Sequence, residues 1–203
     1  LNDGTGNFSK TLNFGSKTDS TIDVEAADMD GDGDLDLILA NRDGQQNYVY
    51  LNDGSLAYNK KIAFGTGKDN TRSIAIGDVN KDGLLDIITA NIGAPNVIYF
   101  GNTGAPFSKS IVFDSTKGDS YAVATADLDL DDDLDIIIGN SESPNFVFLN
   151  ENNGSTWQAY SLTNEAFDTY DIITADLNKD GFPDIIEANS DEVNRYFLNQ
   201  KKN

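Results

Sequence analysis

Four acidic clusters hold the residues of this sequence whose types and spacing could do chemistry. The first reads DMDGDGDLD from Asp28 to Asp36, and clusters of the same length begin at Asp78, Asp127 and Asp176. Oxygen-bearing side chains stand at alternate positions in each cluster, so a tight loop would point them at one centre. A hard cation with six to eight oxygen ligands, such as Ca²⁺, needs that arrangement. We therefore expect up to four calcium ions, one per cluster.

The expected ligands occupy equivalent places in the four clusters. The first, third, fifth and ninth residues supply side-chain oxygens, and the seventh supplies its backbone carbonyl. The predicted ligands are Asp28, Asp30, Asp32, Asp36 and the carbonyl of Asp34; Asp78, Asn80, Asp82, Asp86 and the carbonyl of Leu84; Asp127, Asp129, Asp131, Asp135 and the carbonyl of Asp133; and Asp176, Asn178, Asp180, Asp184 and the carbonyl of Phe182. Calcium is preferred to magnesium because a loose cage of carboxylates and carbonyls suits its larger coordination shell.

A turn residue with positive φ is needed at the sixth place of each cluster. Gly33, Gly83 and Gly181 supply it, because glycine adopts that conformation without steric cost. The third cluster has Asp132 at this place, and aspartate tolerates the left-handed region better than most residues. We expect the third loop to bind a cation as well, with some backbone strain.

The fourth cluster also matches a helix-loop-helix calcium motif, the EF-hand, over Asp176 to Glu187. The twelfth residues of the other three clusters are Leu39, Thr89 and Ile138, whose side chains cannot chelate a cation. The segments around all four clusters have the composition of strands rather than helices. A hairpin loop closed by the ninth residue explains all four copies, so we interpret the EF-hand match as accidental.

The composition excludes several classes of partner and chemistry. With 34 acidic against 14 basic residues the formal charge is −20, which would repel nucleic acid and anionic lipid. Cysteine and histidine are absent, which excludes thiol chemistry and disfavours zinc or hydrolytic chemistry. No apolar run approaches the roughly 20 residues needed to cross a bilayer. We expect a soluble, extracellular chain from which any export signal has been removed, in a medium where calcium fills such loops.

The clusters recur at offsets of 50, 49 and 49 residues, and the features between them keep the same step. Short segments rich in β-branched and aromatic residues lie between Gly, Asn, Asp and Pro turns, a pattern typical of strands. The strands expected in the first full unit are Phe8 to Phe14, Ile22 to Ala27, Leu35 to Ala40 and Tyr48 to Leu51. The third of these, and its equivalents, are apolar on both faces, which predicts a strand packed between neighbouring sheets.

Four-stranded antiparallel sheets at this period are the blades of a β-propeller. We therefore predict an all-β chain that forms one propeller, or a propeller fragment, over residues 1–203. Its repeat units are 1–51, 52–100, 101–149 and 150–198, followed by a tail at 199–203. An N-terminal strand could complete the last blade and hide two sheet edges. A closed four-bladed ring, an eight-bladed head-to-tail dimer, an open tandem array and a piece of a larger propeller remain as alternatives.

The loop pattern D-x-[DN]-x-D-G-x-x-D, with the run FGNTGAP from Phe100 to Pro106, resembles a known family. It is similar to the FG-GAP repeats of integrin α-subunits and the related VCBS repeats of microbial surface proteins, and the resemblance spans all four units. This resemblance implies a calcium-binding β-propeller of the kind found in adhesion proteins, fungal lectins and accessory domains of polysaccharide lyases. It also implies calcium on one face and a glycan or protein ligand on the opposite face.

Residues six places before each cluster are the candidate ligand-binding residues of that opposite face. They are Ile22, Arg72, Tyr121 and Tyr170. An arginine or tyrosine there could stack on a sugar or hydrogen-bond to it, although a packed rim is the simpler interpretation. An asparagine recurs at positions 47, 96, 145 and 194, where capping of a turn is the simpler interpretation. Trp157 recurs as an aromatic residue in every unit, which predicts a place in the core.

Three functions are compatible with these residues. The favoured one is a non-catalytic module for adhesion or for recognition of a carbohydrate or protein. A structural subunit that assembles head to tail through complementary terminal strands is the second. A polysaccharide lyase using Arg72, Tyr121 and Tyr170 is the third, but no pairing of a general acid with a base supports it. Asn7 and Asn153 begin triplets that would accept glycans in an organism that makes them.

Overall fold

The structure, a computed structural model, describes residues 4–8 and 10–200. In these residues the chain consists of fifteen β-strands joined by turns and loops, without a helix. The first sheet contains β1 (Thr21–Ala27), β2 (Asp36–Asn41), β3 (Gln45–Leu51) and β4 (Lys60–Asp69). The second contains β5 (Thr71–Gly77), β6 (Asp86–Asn91), β7 (Asn96–Phe100) and β8 (Lys109–Asp114). The third contains β9 (Asp119–Ala126), β10 (Asp135–Ser141), β11 (Phe146–Glu151) and β12 (Thr156–Ser161), and the fourth contains β13 (Thr169–Ala175), β14 (Asp184–Asn189) and β15 (Arg195–Phe197).

Each sheet is an antiparallel meander whose strands follow one another in chain order. The first three sheets have four strands and the fourth has three. The prediction of an all-β chain made of antiparallel sheets is confirmed. No helix of the described residues has the length and apolar character required to span a membrane.

The second strand of each sheet is the most buried. In β6, Ile87 and Ile88 point to opposite faces and both are fully buried, and Ile136 and Ile137 repeat this in β10. Successive side chains of a strand alternate between its faces, so both faces of these strands must be covered. The neighbouring sheets cover them, as the apolar sequence of these strands predicts.

Three apolar clusters make up the core, and each lies between two successive sheets. Ile38 and Val49 of the first sheet pack in one cluster with Ile74 of the second. Two further clusters, built from equivalent residues, join the second sheet to the third and the third to the fourth. The four sheets therefore form a single stack, in which each sheet buries its apolar faces against its neighbours.

Aromatic side chains also pack between successive sheets. Phe113 of β8 packs edge-on against Phe148 of the third sheet, with ring centroids 5.1 Å apart, and lies 6.0 Å from the ring of Trp157. Such pairs add about 0.5–1.5 kcal/mol each beyond the area they bury. Trp157 is half-buried in this cluster, so it packs between two sheets as its recurrence predicts.

The strand expected from Phe8 to Phe14 is wrong for residues 10–14, which form no strand, while Ser9 lies outside the described residues. β15 pairs with β14 alone among the described strands, so the closure of the last sheet by an N-terminal strand is not found there. The physical reason is that residues 10–14 pair with no described strand edge, which a strand needs for its backbone hydrogen bonds. Phe14 packs 6.2 Å from Tyr50 of β3, so its side chain contacts the first sheet.

Candidate metal centres and ligand surface

Each acidic cluster forms the loop between the first and second strands of its sheet. Its first aspartate organises the loop by accepting backbone hydrogen bonds. Asp28 Oδ2 accepts the N–H of Gly33 at 2.9 Å, and the equivalent bond recurs in the other loops from Gly83, Asp132 and Gly181 at 2.8, 3.0 and 2.9 Å. A carboxylate that accepts several backbone N–H groups is held in one orientation. All four loops therefore share one fold.

The ninth residue of each loop has a structural task that sequence reasoning missed. Asp36 is fully buried, and its Oδ2 accepts the N–H of Met29 at 2.9 Å while its Oδ1 accepts the N–H of Asn52 at 2.8 Å. Asp86, Asp135 and Asp184 repeat both bonds. The ninth aspartate thus ties the loop to the end of the third strand, and each of its oxygens keeps a further lone pair for a cation.

Two places of each loop lie in the left-handed region. At the sixth place the φ values are +93° for Gly33, +85° for Gly83, +71° for Asp132 and +89° for Gly181, so Asp132 adopts the conformation expected of it. The fourth place was not anticipated, because it is glycine only in the first loop. The φ values there are +78° for Gly31, +58° for Lys81, +61° for Leu130 and +62° for Lys179. The left-handed conformation costs a non-glycine residue roughly 1–2 kcal/mol. The loops keep this geometry although the residues at the fourth place would by themselves prefer negative φ.

Carboxylates converge in the first and third loops. One oxygen each from Asp28, Asp30 and Asp36 lies within 4.8 Å of the others, and Asp127, Asp129 and Asp135 repeat the group. Oxygens this close around one point, with no nitrogen or sulfur donor among them, fit a hard divalent cation.

In the second and fourth loops an asparagine takes the third place. Asn80 Nδ2 donates to Asp82 Oδ2 at 3.1 Å, and Asn178 Nδ2 donates to Asp180 Oδ2 at 2.9 Å. The third and fifth residues are therefore also adjacent in these loops. Rotation of the amide would present its oxygen in place of its nitrogen, since amide O and N occupy nearly the same space. The donor set of these loops also fits a hard cation, with one carboxylate fewer.

The buried ninth carboxylates of the second and third loops are electrostatically unfavourable without a positive charge beside them. Burial raises the pKa of Asp86 to about 6, repulsion from Asp82 and Asp78 adds to this effect, and two backbone hydrogen bonds oppose it. Burial also raises the pKa of Asp135 to about 6, with repulsion from Asp129 and Asp131. A raised pKa means that the site favours a positive partner, either a proton or a cation.

A lysine of the second loop reaches the third loop. Lys81 Nζ lies 2.6 Å from Oδ1 of the largely buried Asp133. The hydrogen bond to Asp133 raises the pKa of Lys81, and the charges of Asp132 and Asp131 add to the shift. Asp133 was predicted to contribute its carbonyl, which stays a prediction, and its side chain in addition links two neighbouring loops.

The twelfth residue of the apparent EF-hand does not belong to the fourth loop. Glu187 lies in β14 and is buried, and its carboxylate accepts hydrogen bonds from Asn145 Nδ2 at 2.7 Å and Asn189 Nδ2 at 3.1 Å. Strands flank the loop on both sides. The interpretation of this match as accidental agrees with the structure.

Arg72, Tyr121 and Tyr170 come together at the opposite end of the first strands. The guanidinium carbon of Arg72 lies 5.5 Å from the ring centroid of Tyr121 and 5.9 Å from that of Tyr170. The two rings meet edge to face with centroids 5.0 Å apart. We call these three residues the arginine-tyrosine cluster. Arginine over a tyrosine face is an attractive cation-π contact.

A β-bulge explains why these three side chains meet. The strand register shifts between Thr71 and Ser73, and it shifts at the equivalent places of the third and fourth sheets, so each cluster residue is the extra residue of a bulge. A bulge re-aims the side chain that it carries. Ile22 is the bulge residue of the first sheet, where the cluster has no fourth polar member.

The guanidinium of Arg72 forms no ion pair with any described residue. The three ion pairs formed among the described residues involve Arg42, Lys81 and Arg195, so Arg72 has no carboxylate partner there. Tyr170 is nearly half exposed. An arginine without a carboxylate partner is notable in a chain of formal charge −20.

A cleft of about 440 Å³ lies along the first strands, lined by β1, β5 and β9. Glu25 lines this cleft together with Ala75 and Ala124. Burial raises the pKa of Glu25, and the charge of Asp23 adds to the shift. Sequence reasoning missed Glu25, because no periodic signal marks a residue whose equivalents are alanine or isoleucine.

The two predicted glycosylation triplets lie on the surface where the structure describes them. Asn7 is exposed, and Ser9, the third residue of its triplet, lies outside the described residues. Asn153 lies in an exposed turn with φ of +52°, next to Ser155. Both asparagines are therefore sterically open, and their modification remains a prediction.

Comparison with known proteins gives a family and a fold. The sequence profile of the FG-GAP-like repeat family matches residues 28–89, 78–138 and 127–187, and each match begins at the first aspartate of a loop. The sequence matches none of the curated proteins with which it was compared.

Solved structures with a similar fold include the following three. The V. cholerae biofilm matrix protein Bap1 is 18% identical with a TM-score of 0.50, over 81% of this chain and 23% of that one. BBS1N in complex with ARL6DN is 12% identical with a TM-score of 0.53, over 84% and 48%. An Agrocybe aegerita lectin specific for non-reducing terminal N-acetylglucosamine is 22% identical with a TM-score of 0.55, over 83% and 48%. The chain thus spans less than half the length of each, and these identities indicate the fold alone.

Proposed function

The chain belongs to the FG-GAP-like repeat family, and from that premise we propose that it is an extracellular, calcium-binding β-propeller module that recognises a ligand without catalysis. The repeat family and the similar folds of a biofilm matrix protein and a lectin fit a surface or recognition module. The loops would hold Ca²⁺ on one face. The opposite face would bind a glycan or a protein.

The calcium proposal is supported by the loop chemistry. Three carboxylates converge in each of two loops, and burial raises the pKa of the ninth aspartate in the second and third loops to about 6. A bound divalent cation would neutralise these groups and remove the repulsion between them. Calcium-binding extracellular modules have dissociation constants of about 10⁻⁴–10⁻³ M, which is why an extracellular medium suits such sites.

The recognition proposal rests on one observation, the arginine-tyrosine cluster. Three successive sheets each contribute one bulge residue to it, and the guanidinium has no carboxylate partner among the described residues. Tyrosine offers an apolar ring with a hydroxyl, and arginine offers up to five N–H donors in a fork. That combination suits a sugar bearing hydroxyl, amide or carboxylate oxygens.

The alternative function is enzymatic, that of a polysaccharide lyase. It would need a base and an acid on either side of the bond that breaks. The arginine-tyrosine cluster offers two phenols and a guanidinium, and Glu25, whose carboxyl pKa is raised, lines the cleft of the first strands rather than the cluster. We therefore propose binding without turnover, and an assay for unsaturated products from acidic polysaccharides would reveal the alternative.

A glycan array run with Ca²⁺ and with a chelator tests the proposed recognition. Arg72→Ala should weaken binding to the glycans retained by about tenfold or more, because a charge-assisted hydrogen bond to the ligand is lost. Tyr170→Ala should weaken it as well. Arg42→Ala is the matched control, since Arg42 is an exposed arginine paired with Asp43, outside the cluster. Equal binding by all variants would contradict the assignment of the cluster.

A further inference from the structure

A continuous path of hydrogen bonds connects the second and third loops across the join between their sheets. Asp86 Oδ2, in the second loop, accepts the N–H of Val79 at 3.0 Å. The carbonyl of Val79 in turn accepts a hydrogen bond from Asn150 Nδ2 at 2.8 Å. The backbone N–H of Asn150 donates to Oδ1 of Asp135, in the third loop, at 2.8 Å. The predicted ninth ligands of two successive loops are thus connected through one buried residue, Asn150.

An ion pair forms a second link between the same two loops. Lys81 Nζ lies 2.6 Å from Oδ1 of Asp133, whose side chain is only 10% exposed. Among the described residues, the Lys81 ammonium is the only polar partner of this buried oxygen. Six of the nine residues of the third loop are aspartates, so this loop has the most repulsion to offset. Removal of the lysine would leave a buried carboxylate without a counter-charge, which is strongly destabilising.

The two places joined by this ion pair also match one another at the next join. Lys81 occupies the fourth place of its loop, and Asp133 occupies the seventh place of the following loop. One sheet further on, the same two places hold Leu130 and Phe182, which line a common cleft. A lysine is therefore combined with an aspartate, and one apolar residue with another. The side chains at these places have compatible chemistry in both cases.

The hydrogen-bonded path continues into the fourth loop. Asn199 is the equivalent of Asn150, and its Nδ2 donates to the carbonyl of Leu128 at 2.6 Å. The N–H of Leu128 donates to Asp135 Oδ2 at 2.8 Å, and the N–H of Asn199 donates to Asp184 Oδ1 at 2.9 Å. The ninth aspartates of the third and fourth loops are therefore connected in the same way as those of the second and third.

The first loop lacks both kinds of link to the second. Gly101 stands at the place of Asn150 in the second sheet and has no amide side chain to donate. A Cβ on Gly101 would lie 2.6 Å from the carbonyl oxygen of Leu85, so this backbone leaves no room for a side chain. Gly31 stands at the place of Lys81. The first loop therefore has the same fold as the others without their polar connections.

We propose that Asn150 and Lys81 couple cation binding in the second and third loops, so that an ion in one loop tightens binding in the other, while the first loop binds independently. This inference rests on the proposed binding of Ca²⁺ by the loops. Asn150 and Lys81 are positioning residues, because each acts through the aspartates and backbone groups that it contacts. Contiguous hydrogen bonds and ion pairs of this kind are the physical means by which two sites influence each other.

The coupling acts through the order of the loops. Carboxylates of like charge repel one another, so a loop without a cation opens more readily than a filled one. An open third loop no longer offers Asp135 to the N–H of Asn150, and it withdraws Asp133 from Lys81. A cation that keeps the third loop closed therefore keeps both links to the second loop in place. The second loop then has less ordering to do when its own cation binds, which is positive cooperativity.

A Ca²⁺ titration of the ¹⁵N-labelled full chain, followed by NMR, distinguishes the loops. The sixth residue of each loop donates its N–H to the first aspartate of that loop, so the signals of Gly33, Gly83 and Asp132 report the first, second and third loops. Asp129→Ala removes a predicted ligand of the third loop and keeps the first and ninth aspartates. We expect it to weaken Ca²⁺ binding by the second loop about fivefold or more, a coupling of ordinary size, and to leave the first loop unchanged.

The combination of Asn150→Ala with Lys81→Ala removes both links. In that background Asp129→Ala should no longer change the Ca²⁺ affinity of the second loop. The combination of Asn52→Ala with Lys179→Ala is the matched control. Asn52 Oδ1 accepts a glycine N–H as Asn150 Oδ1 does, and Lys179 occupies the fourth place of its own loop, but neither residue belongs to the second or third loop or links them. The coupling should persist in this control.

Lys81→Arg separates the coupling from folding. Arginine keeps the positive charge opposite Asp133, so this variant should retain the coupling, whereas Lys81→Ala should reduce it in a chain whose amide signals outside the loops are unchanged. Ca²⁺ binding by the second loop that is unaffected by Asp129→Ala would overturn the coupling and leave calcium binding intact. Equal coupling after loss of both links would overturn the assignment to Asn150 and Lys81. Loop signals that do not respond to Ca²⁺ would overturn the coupling together with the proposed calcium binding.

Discussion

At the scale of single residues, the acidic loops combine two kinds of carboxylate. In the first loop Asp28 accepts three backbone hydrogen bonds and Asp36 accepts two, and these bonds hold the loop, whereas Asp32 at the fifth place accepts one. The ninth aspartate is fully buried, so it bears most of the desolvation. A cation bound by these oxygens would therefore stabilise the loop, because it would offset the desolvation of the buried carboxylates and their mutual repulsion.

The raised pKa values of Asp86 and Asp135 predict how stability depends on pH. Each folded-state pKa is about 6, above the ordinary value of 3.8, so the native state binds these protons more tightly than the unfolded state does. This contribution to stability is complete below about pH 4 and is lost as the pH rises through about 6. In a chelator, the urea midpoint should therefore rise when the pH falls from about 7.5 to 5.

Saturating Ca²⁺ is the control for this prediction. Protons then compete with the cation for the same carboxylates, so acidification over the same range should lower the urea midpoint. A midpoint in chelator that falls on acidification would contradict the assigned cause of the shifts.

At the scale of elements, the repeat positions four strands around one loop. The alternation of turn and strand signals predicts three of the four strands of the first unit, because each is bounded by glycine, asparagine or aspartate turns. The segment from Phe8 to Phe14 carries the same signals and forms no strand at residues 10–14. Composition cannot supply the partner edge that a strand needs for its hydrogen bonds. This edge is present for β4, β8 and β12, each of which pairs with the strand before it.

The site was predictable to a similar extent. Spacing predicted that the first, third and ninth carboxylates converge, as they do in the first and third loops. Glycine marks the left-handed sixth place in three loops. The left-handed conformation at the fourth place could not be predicted, because lysine and leucine, which stand there as Lys81 and Leu130, do not usually adopt positive φ. The arginine-tyrosine cluster was named as separate candidates, but its assembly depends on a bulge in each first strand. A bulge leaves little trace in a single sequence, because the side-chain alternation shifts by only one residue.

The loop turn can be tested without disturbing any side-chain contact. Gly83 has φ of +85°, and a Cβ added to it would meet nothing within 4 Å. Gly83→Ala should therefore lower the free energy of unfolding by about 1 kcal/mol through backbone conformation alone. Urea denaturation measures this change.

Gly104→Ala is the matched control for that substitution. A Cβ there would also meet nothing within 4 Å, and Gly104 is not among the residues with positive φ. Its substitution should be neutral or slightly stabilising. Equal effects of the two substitutions would show that the loop does not require the left-handed conformation.

At the scale of the whole molecule, the loops are connected to the joins between sheets. Asn150 Nδ2 of the third sheet donates to the carbonyl of Val79 in the second loop at 2.8 Å, and Asn199 Nδ2 donates to the carbonyl of Leu128 in the third loop at 2.6 Å. Lys81 adds an ion pair between the second and third loops. Each of these loops is therefore held in place partly by the next sheet. Cations bound in the loops would stabilise the stack as a whole.

The net negative charge of the chain also favours the binding of cations. A formal charge of −20 destabilises a compact state through self-repulsion, and much of that charge is concentrated in the four loops. Four divalent cations would remove eight of these negative charges at the places where they are closest together. If all four loops bind a cation, the chain should show saturable binding of about one cation per sheet.

A calorimetric titration of the metal-free chain with Ca²⁺ tests that expectation most directly. We expect saturable binding with a stoichiometry of about four ions per chain and weaker binding of Mg²⁺, because the smaller ion demands a tighter octahedral shell. Replacing the first aspartate of one loop, as in Asp28→Ala, should reduce the count by one. A titration that shows no saturable Ca²⁺ binding at millimolar concentration would contradict the account.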